Sequence, residues 1–203
     1  MSTLRGITLF IGWLLVGMSS VVSASLFNRG TVVYDGLERN LIYDNELDVT
    51  WLDYTSDAGN YNDQLAWVSA LSLEINEQIF DKWRLPIAPL DSRVVGYNIA
   101  SSELGHLYYS DSVKSSRLFN NIPATTVWYT TGTRVGSDVW HFGFHDGWNT
   151  IGTIGYTNYH ALALYDGDIA AASSVPEPSE IYLFISILAS IGISKSIKNK
   201  AKE

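Results

Sequence analysis

The sequence predicts an α+β fold: a twisted antiparallel sheet with two short helices, flanked by an export signal and a C-terminal transmembrane helix. Three observations predict it. Short runs rich in β-branched and aromatic residues recur between Asp, Asn and Gly turn residues. Two stretches show polar caps ahead of helix-like spacing. The long apolar runs stand only at the two ends of the chain. Aromatic residues make up 13% of the chain and charged residues 17%. That balance favours a folded, strand-rich domain over a disordered one, because pleated surfaces accept large rings.

The N-terminus has the three parts of a secretory signal. Met1 to Arg5 is positive, Gly6 to Met18 is apolar, and Val22-Ser23-Ala24 supplies the small residues for cleavage after Ala24. The apolar run is short for a membrane span, which favours cleavage over a retained anchor. Residues 25–170 then form one extracytoplasmic domain, and roughly 150 residues are enough for a core of its own.

Within the domain, Thr31-Val32-Val33-Tyr34 ends at Asp35-Gly36, a hairpin signal, and Asn40-Leu41-Ile42-Tyr43 reads as the return strand. Val49-Thr50-Trp51-Leu52 is a further strand. Asn60 or Asn62 caps a helix that carries Leu65, Val68 and Leu71 at helical spacing and ends before Phe80. Pro86 and Pro89 keep the following segment out of helix. Ser101 or Ser102 caps a second helix through Tyr108. Strands follow at Thr126–Thr130 and Val139–Phe144, the latter closed by Asp146-Gly147, and Tyr159 to Tyr165 alternates once more.

The C-terminus reads Val175-Pro176-Glu177-Pro178 within a linker over residues 171–180, then an apolar helix over 181–197 and a basic tail over 198–203. Ile181 to Ile193 as a helix reaches about 20 Å, short of a bilayer core of about 30 Å. Counting on to Ile197, with Lys195 snorkelling, brings it close to a span. The lysines at 195, 198, 200 and 202 stay cytoplasmic by the positive-inside rule, which leaves the main domain outside.

The net charge of −8 is more negative in the middle, because these lysines and Arg5 lie at the ends. An acidic domain repels phosphate backbones, so nucleic acid is not an expected partner. Cysteine is absent, which rules out disulfides and thiolate metal clusters.

Val175-Pro176-Glu177-Pro178, the short apolar helix and the basic end together resemble the PEP-CTERM sorting signal of bacteria. The resemblance implies recognition by exosortase, a membrane protease-transpeptidase, and removal of the tail. It also implies a Gram-negative host that makes extracellular polysaccharide, with the product at the cell surface or in the matrix. The basic end here is lysine where that family has arginine, and the helix is poorer in Gly and Leu.

Residues 28–170 resemble the Lcl C-terminal domain family. The resemblance rests on Leu41-Ile42-Tyr43-Asp44, Thr50-Trp51-Leu52, Trp67, Trp83-Arg84-Leu85-Pro86 and Ser102-Glu103-Leu104-Gly105-His106-Leu107-Tyr108. It continues through Trp128, then Trp140, Phe142, Phe144, Asp146 and Gly147, and ends at Ala161–Leu164 with Gly167-Asp168. It implies a plan like that of C-type lectins and formylglycine-generating enzymes. This chain has Trp128-Tyr129-Thr130 where the family has Trp-Ser-Ser. It has Leu162 and Tyr165 where the final strand of the family carries Trp and Arg.

No nucleophile elbow, phosphate loop or zincin motif occurs. The formylglycine-generating chemistry needs cysteine and is ruled out. No catalytic residue, cofactor or metal is therefore expected, and the domain should fold without a metal ion. Trp83 and Leu85 share one face of an extended segment as core, and Arg84 points the other way toward Glu103 or an Asp. His141 and His145 on a strand stand about 13 Å apart, too far to share a metal. His106 and His160 have no ligand pattern beside them. Asp44, Glu46, Asp48 and Asp53 read as solvated turn residues, because their spacing is not that of a calcium loop.

Trp128 and Trp140 read as core. Trp148 and Tyr156 are the candidates for stacking on a neutral polysaccharide. The expected function is a non-enzymatic binding or structural role in the cell envelope or matrix. The alternatives are an extracellular polysaccharide hydrolase, since two carboxylates could converge in the fold, and a homo-oligomeric surface component without a ligand.

Overall fold

The computed structural model describes residues 26–88, 95–111, 113–123 and 127–170. The signal peptide with Ala24 and the sorting motif Val175-Pro176-Glu177-Pro178 lie outside the described residues. So do the C-terminal helix and the basic tail. Among the described residues no helix is long and apolar enough to cross a membrane.

The architecture is α+β, mostly antiparallel, with two four-stranded sheets and a separate two-stranded one among the described residues where the sequence suggested a single sheet. β1 (Leu26–Tyr34), β2 (Leu37–Asp44) and β3 (Val49–Leu52) form a meander, and β10 (Ala163–Asp166) joins it beside β3. The β1–β2 hairpin turns at Asp35-Gly36, both at positive φ, 53° and 71°. That pair matches the right-handed strand twist, which is why the signal was legible.

The first sheet is covered on both faces. Leu41 and Leu52 point into one core cluster, with Val68, Phe80, Trp83 and Leu85. Ile42 and Trp51, their chain neighbours, point into the other, with Leu104, Leu107 and Phe142. Strands buried on both faces read as continuous apolar runs rather than as clean alternation. Trp51 is fully buried.

α1 (Tyr61–Ser69) starts at an Asn60 capping box: the Asn60 side chain accepts from the Asp63 backbone, and the Asp63 carboxylate accepts from the Asn60 N–H. Its buried face is Tyr61, Gln64 and Val68, whereas Leu65 is exposed. Gln64 displaces the leucine because its amide is fully used inside. Nε2 donates to the carbonyls of Asp57 and Tyr159, and Oε1 accepts from Ser56.

The helix stops at Ser69, well before Phe80. β4 (Leu73–Ile75) and β5 (Gln78–Phe80) form a hairpin there, turning at Asn76-Glu77 with φ of 52° and 66°. α2 (Glu103–Tyr109) is capped by Ser102, whose Oγ accepts from the Gly105 N–H at 3.0 Å. α3 (Val113–Ser116) is a single turn.

The second sheet runs β8 (Trp148–Thr153), β7 (Asp138–Gly143), β6 (Trp128–Val135), β9 (Tyr159–His160), with β9 parallel to β6. β8 was not anticipated. The alternating run from Tyr159 to Tyr165 is not one strand: β9 belongs to the second sheet and β10 to the first. Between them Ala161 and Leu162 are fully buried. The Ala161 N–H is drawn off to Ser56 Oγ at 2.7 Å, which takes it out of either ladder.

Candidate functional site

The register of the second sheet builds one aromatic face. Trp128 pairs with Tyr159 on one side and Gly143 on the other, and Gly143 pairs with Trp148. Directly paired residues share a face, so Tyr159, Trp128 and Trp148 form a row across all four strands. The next row places His141 beside Thr150 on that same face. Trp140 and Phe142, one residue out of phase, point to the other side and are buried.

Gly143 leaves a gap in the row, and the His145 ring fills it: a Cβ on Gly143 would lie 2.7 Å from His145 Cε1. His145 meets Trp128 edge to face, with centroids 5.6 Å apart. At one end Trp148 meets Tyr97 edge to face at 4.6 Å, and Tyr97 is 52% exposed. At the other end Tyr156, 45% exposed, meets Tyr159 at 4.9 Å. Tyr159 in turn stacks on His141, with centroids 3.8 Å apart.

Trp128, His141, Tyr156, Tyr159 and residues 150–153 line a cavity of about 260 Å³ on this face. Burial holds the His141 imidazole down to about pH 4, against an ordinary value of 6.5, so the ring is neutral. Burial also pushes the Tyr159 hydroxyl up to about 12. A neutral floor with ring faces and a few hydroxyls suits an uncharged, amphipathic ligand.

Trp128, expected in the core, is half-buried. It packs against the core from its side and lines the cavity. Trp148 is half-buried at the start of β8 and Tyr156 is exposed beyond its end. The turn that delivers Trp148 is fixed by Asp146, whose Oδ1 accepts from the Trp148 N–H at 3.0 Å, and by Gly147 at φ 84°. Tyr109 Oη donates to the Gly147 carbonyl at 2.7 Å, tying the turn to α2.

The Trp83–Pro86 motif is structural. Trp83 and Leu85 are buried, and Trp83 Nε1 donates to the Phe80 carbonyl. Arg84 forms a backbone bridge with Leu164. Its guanidinium binds Glu103 with two bonds of 2.8 Å, and Asp166 Oδ1 lies 2.8 Å from Nε and 2.7 Å from Nη2. Burial works against the charge on Arg84, and these carboxylates outweigh it and raise its pKa. Leu104 is fully buried, and Gly105 sits where α2 closes on Ile99.

The acidic turn residues divide. Glu46 and Asp48 are exposed, but Asp44 and Asp53 are fully buried, contrary to the solvated-turn expectation. Both serve turns from inside: Asp44 Oδ1 accepts the N–H groups of Glu46 and Leu47, and Asp53 accepts those of Asn120 and Asn121. His106 also departs from its sequence reading. The fold sets beside it Asp44, sixty-two positions earlier in the chain, and Asp111, two residues past the end of α2. Such a grouping leaves no spacing signal in the sequence.

No protein-family model, curated protein or solved structure matches the chain.

Proposed function

We propose that this is an exported envelope or matrix protein whose domain, C-type-lectin-like in plan, binds a neutral polysaccharide and catalyses nothing. The observation that carries the binding role is the row of rings across the second sheet, open at Tyr97, Trp148 and Tyr156. Pyranose rings present apolar faces, and aromatic side chains with one wet edge suit them. The acidic charge of the domain disfavours sulfated or phosphorylated polymers, since like charges repel over a Debye length of about 10 Å. Neutral chains escape that penalty.

The export reading rests on Val22-Ser23-Ala24 and on Val175-Pro176-Glu177-Pro178 ahead of the apolar helix. Exosortase and, transiently, the membrane are the partners this reading names. The C-type-lectin-like plan rests on the order of the motifs from Leu41 to Asp168 and on the α+β architecture. The test is a glycan array that carries neutral and sulfated polysaccharides, followed by an assay for new reducing ends on any polymer bound. Binding to neutral polymers without new ends supports the proposal. New reducing ends would make the domain a hydrolase, and an array without signal would leave a structural component.

A further inference from the structure

A second site lies away from the aromatic face, between the β2–β3 turn and the C-terminal end of α2. Asp44, His106 and Asp111 each offer one ligand atom there, and these atoms lie within 4.8 Å of one another. All three side chains are more than nine-tenths buried: Asp44 is fully buried, the His106 side chain is 8% exposed and that of Asp111 is 0% exposed. Asp44 Oδ2, His106 Nε2 and both oxygens of Asp111 have no hydrogen-bond partner among the described residues. Buried polar atoms are almost always satisfied, so unsatisfied atoms on three neighbouring buried side chains call for a group that satisfies them together. Two ionised carboxylates in contact cannot donate to each other. Something positive between them must compensate, either a proton or a cation.

The geometry points to a divalent transition-metal ion of the zinc or manganese type, held by Asp44 Oδ2, His106 Nε2 and Asp111. Ligand atoms about 2.1 Å from a tetrahedral ion stand about 3.4 Å apart. His106 Nε2 lies 3.4 Å from Asp111 Oδ2. Glu46 Oε2 lies 3.7 Å from the same nitrogen, on a side chain 49% exposed, at the solvent side of the site.

The mixture of one imidazole with carboxylates selects zinc or manganese over calcium, which takes oxygen ligands in larger number. The local structure holds the ligands in place. Asp44 is fixed by the turn N–H groups it accepts through Oδ1, and the Asp111 N–H donates to the His106 carbonyl at 3.2 Å.

The test is calorimetric titration of the full-length chain, dialysed against a chelator, with zinc, manganese or calcium chloride. The expected result is one zinc or manganese ion per chain, with calcium much weaker. Asp111→Asn and His106→Asn should each weaken the ion by at least about tenfold. Asp48→Asn, an exposed acid of the same turn outside the site, should not. Zinc should also raise the melting temperature of the parent, and chelator should reverse it, which reads the site even if a variant folds poorly. No stoichiometric uptake and no melting shift in the parent would overturn the inference. So would Asp111→Asn and His106→Asn variants that keep the parent's affinity, since the ion would then sit elsewhere.

Discussion

Arg84 and Glu103 face each other through two N–H···O bonds of 2.8 Å each. The pair ties the Trp83–Pro86 segment, which is bridged to β10, to the first turn of α2. The Glu103 side chain is 10% exposed and also accepts the Ile87 N–H at 2.7 Å. Removing Arg84 leaves a carboxylate buried with a single backbone donor. Arg84→Ala should therefore destabilise the domain by about 3 kcal/mol. Asp166 also binds Arg84, but its side chain is 71% exposed, and Asp166→Asn should cost less than about 1 kcal/mol. Urea unfolding of both variants checks the contrast, and equal losses would contradict it.

Gly105→Ala should destabilise, although alanine is ordinarily better than glycine in a helix by about 1 kcal/mol. A Cβ at Gly105 would run into the carbonyl oxygen of Ile99 and come within 2.6 Å of Ser102 Oγ, the N-cap of the same helix. Backbone cannot swing aside as a flexible side chain would. The loss should reach at least about 2 kcal/mol. A thermal melt at or above that of the parent would show that the 95–99 segment yields.

His141 should make the domain acid-labile. Its imidazole takes up a proton only below about pH 4 in the folded state, against an ordinary value of 6.5, because burial penalises the charged form. The folded value is depressed, so its contribution to stability is present above about pH 6.5 and is lost as the pH falls toward about 4. Melting temperatures measured from about pH 7 down to about pH 4 should fall more steeply for the parent than for His141→Gln, which carries no proton switch. Parallel curves would place the acid transition in other groups.

Export should leave Ser25 as the first residue, and Glu177→Ala should leave an unprocessed, membrane-retained chain in a host with exosortase. N-terminal sequencing and intact mass of the envelope fraction check both. An intact Met1, or a variant that matches the parent in mass and location, would contradict the respective step.

Local signals in the sequence located the elements that are made locally. Asp35-Gly36 turns where its left-handed φ values demand, and Asn60 caps α1 with its own side chain. The β4–β5 hairpin was hidden because Leu65, Val68 and Leu71 keep helical spacing up to its edge, and its Asn76-Glu77 turn contains no glycine. Leu65 was misplaced because a buried Gln64 with three hydrogen bonds outranks it, a non-local cause. β8 was hidden because its ordering comes from pairing with β7 rather than from its own propensity. The aromatic face was half legible: Trp148 and Tyr156 stood out, but that Trp128 joins them depends on register. The Asp44–His106–Asp111 cluster was not legible, since it assembles from a turn and a helix end far apart in the chain.

The aromatic face is most directly tested by the affinity of the purified chain for a neutral polysaccharide, with Trp148→Ala and Tyr156→Ala beside the parent. Ring stacking contributes about 1–3 kcal/mol in nucleic-acid complexes, and stacking on sugar should be no stronger. Single sites are then weak, and displayed copies supply avidity. Each variant should lose at least about fivefold in affinity while melting as the parent does. A parent without any binding, or two variants that bind as well as the parent, would contradict the account.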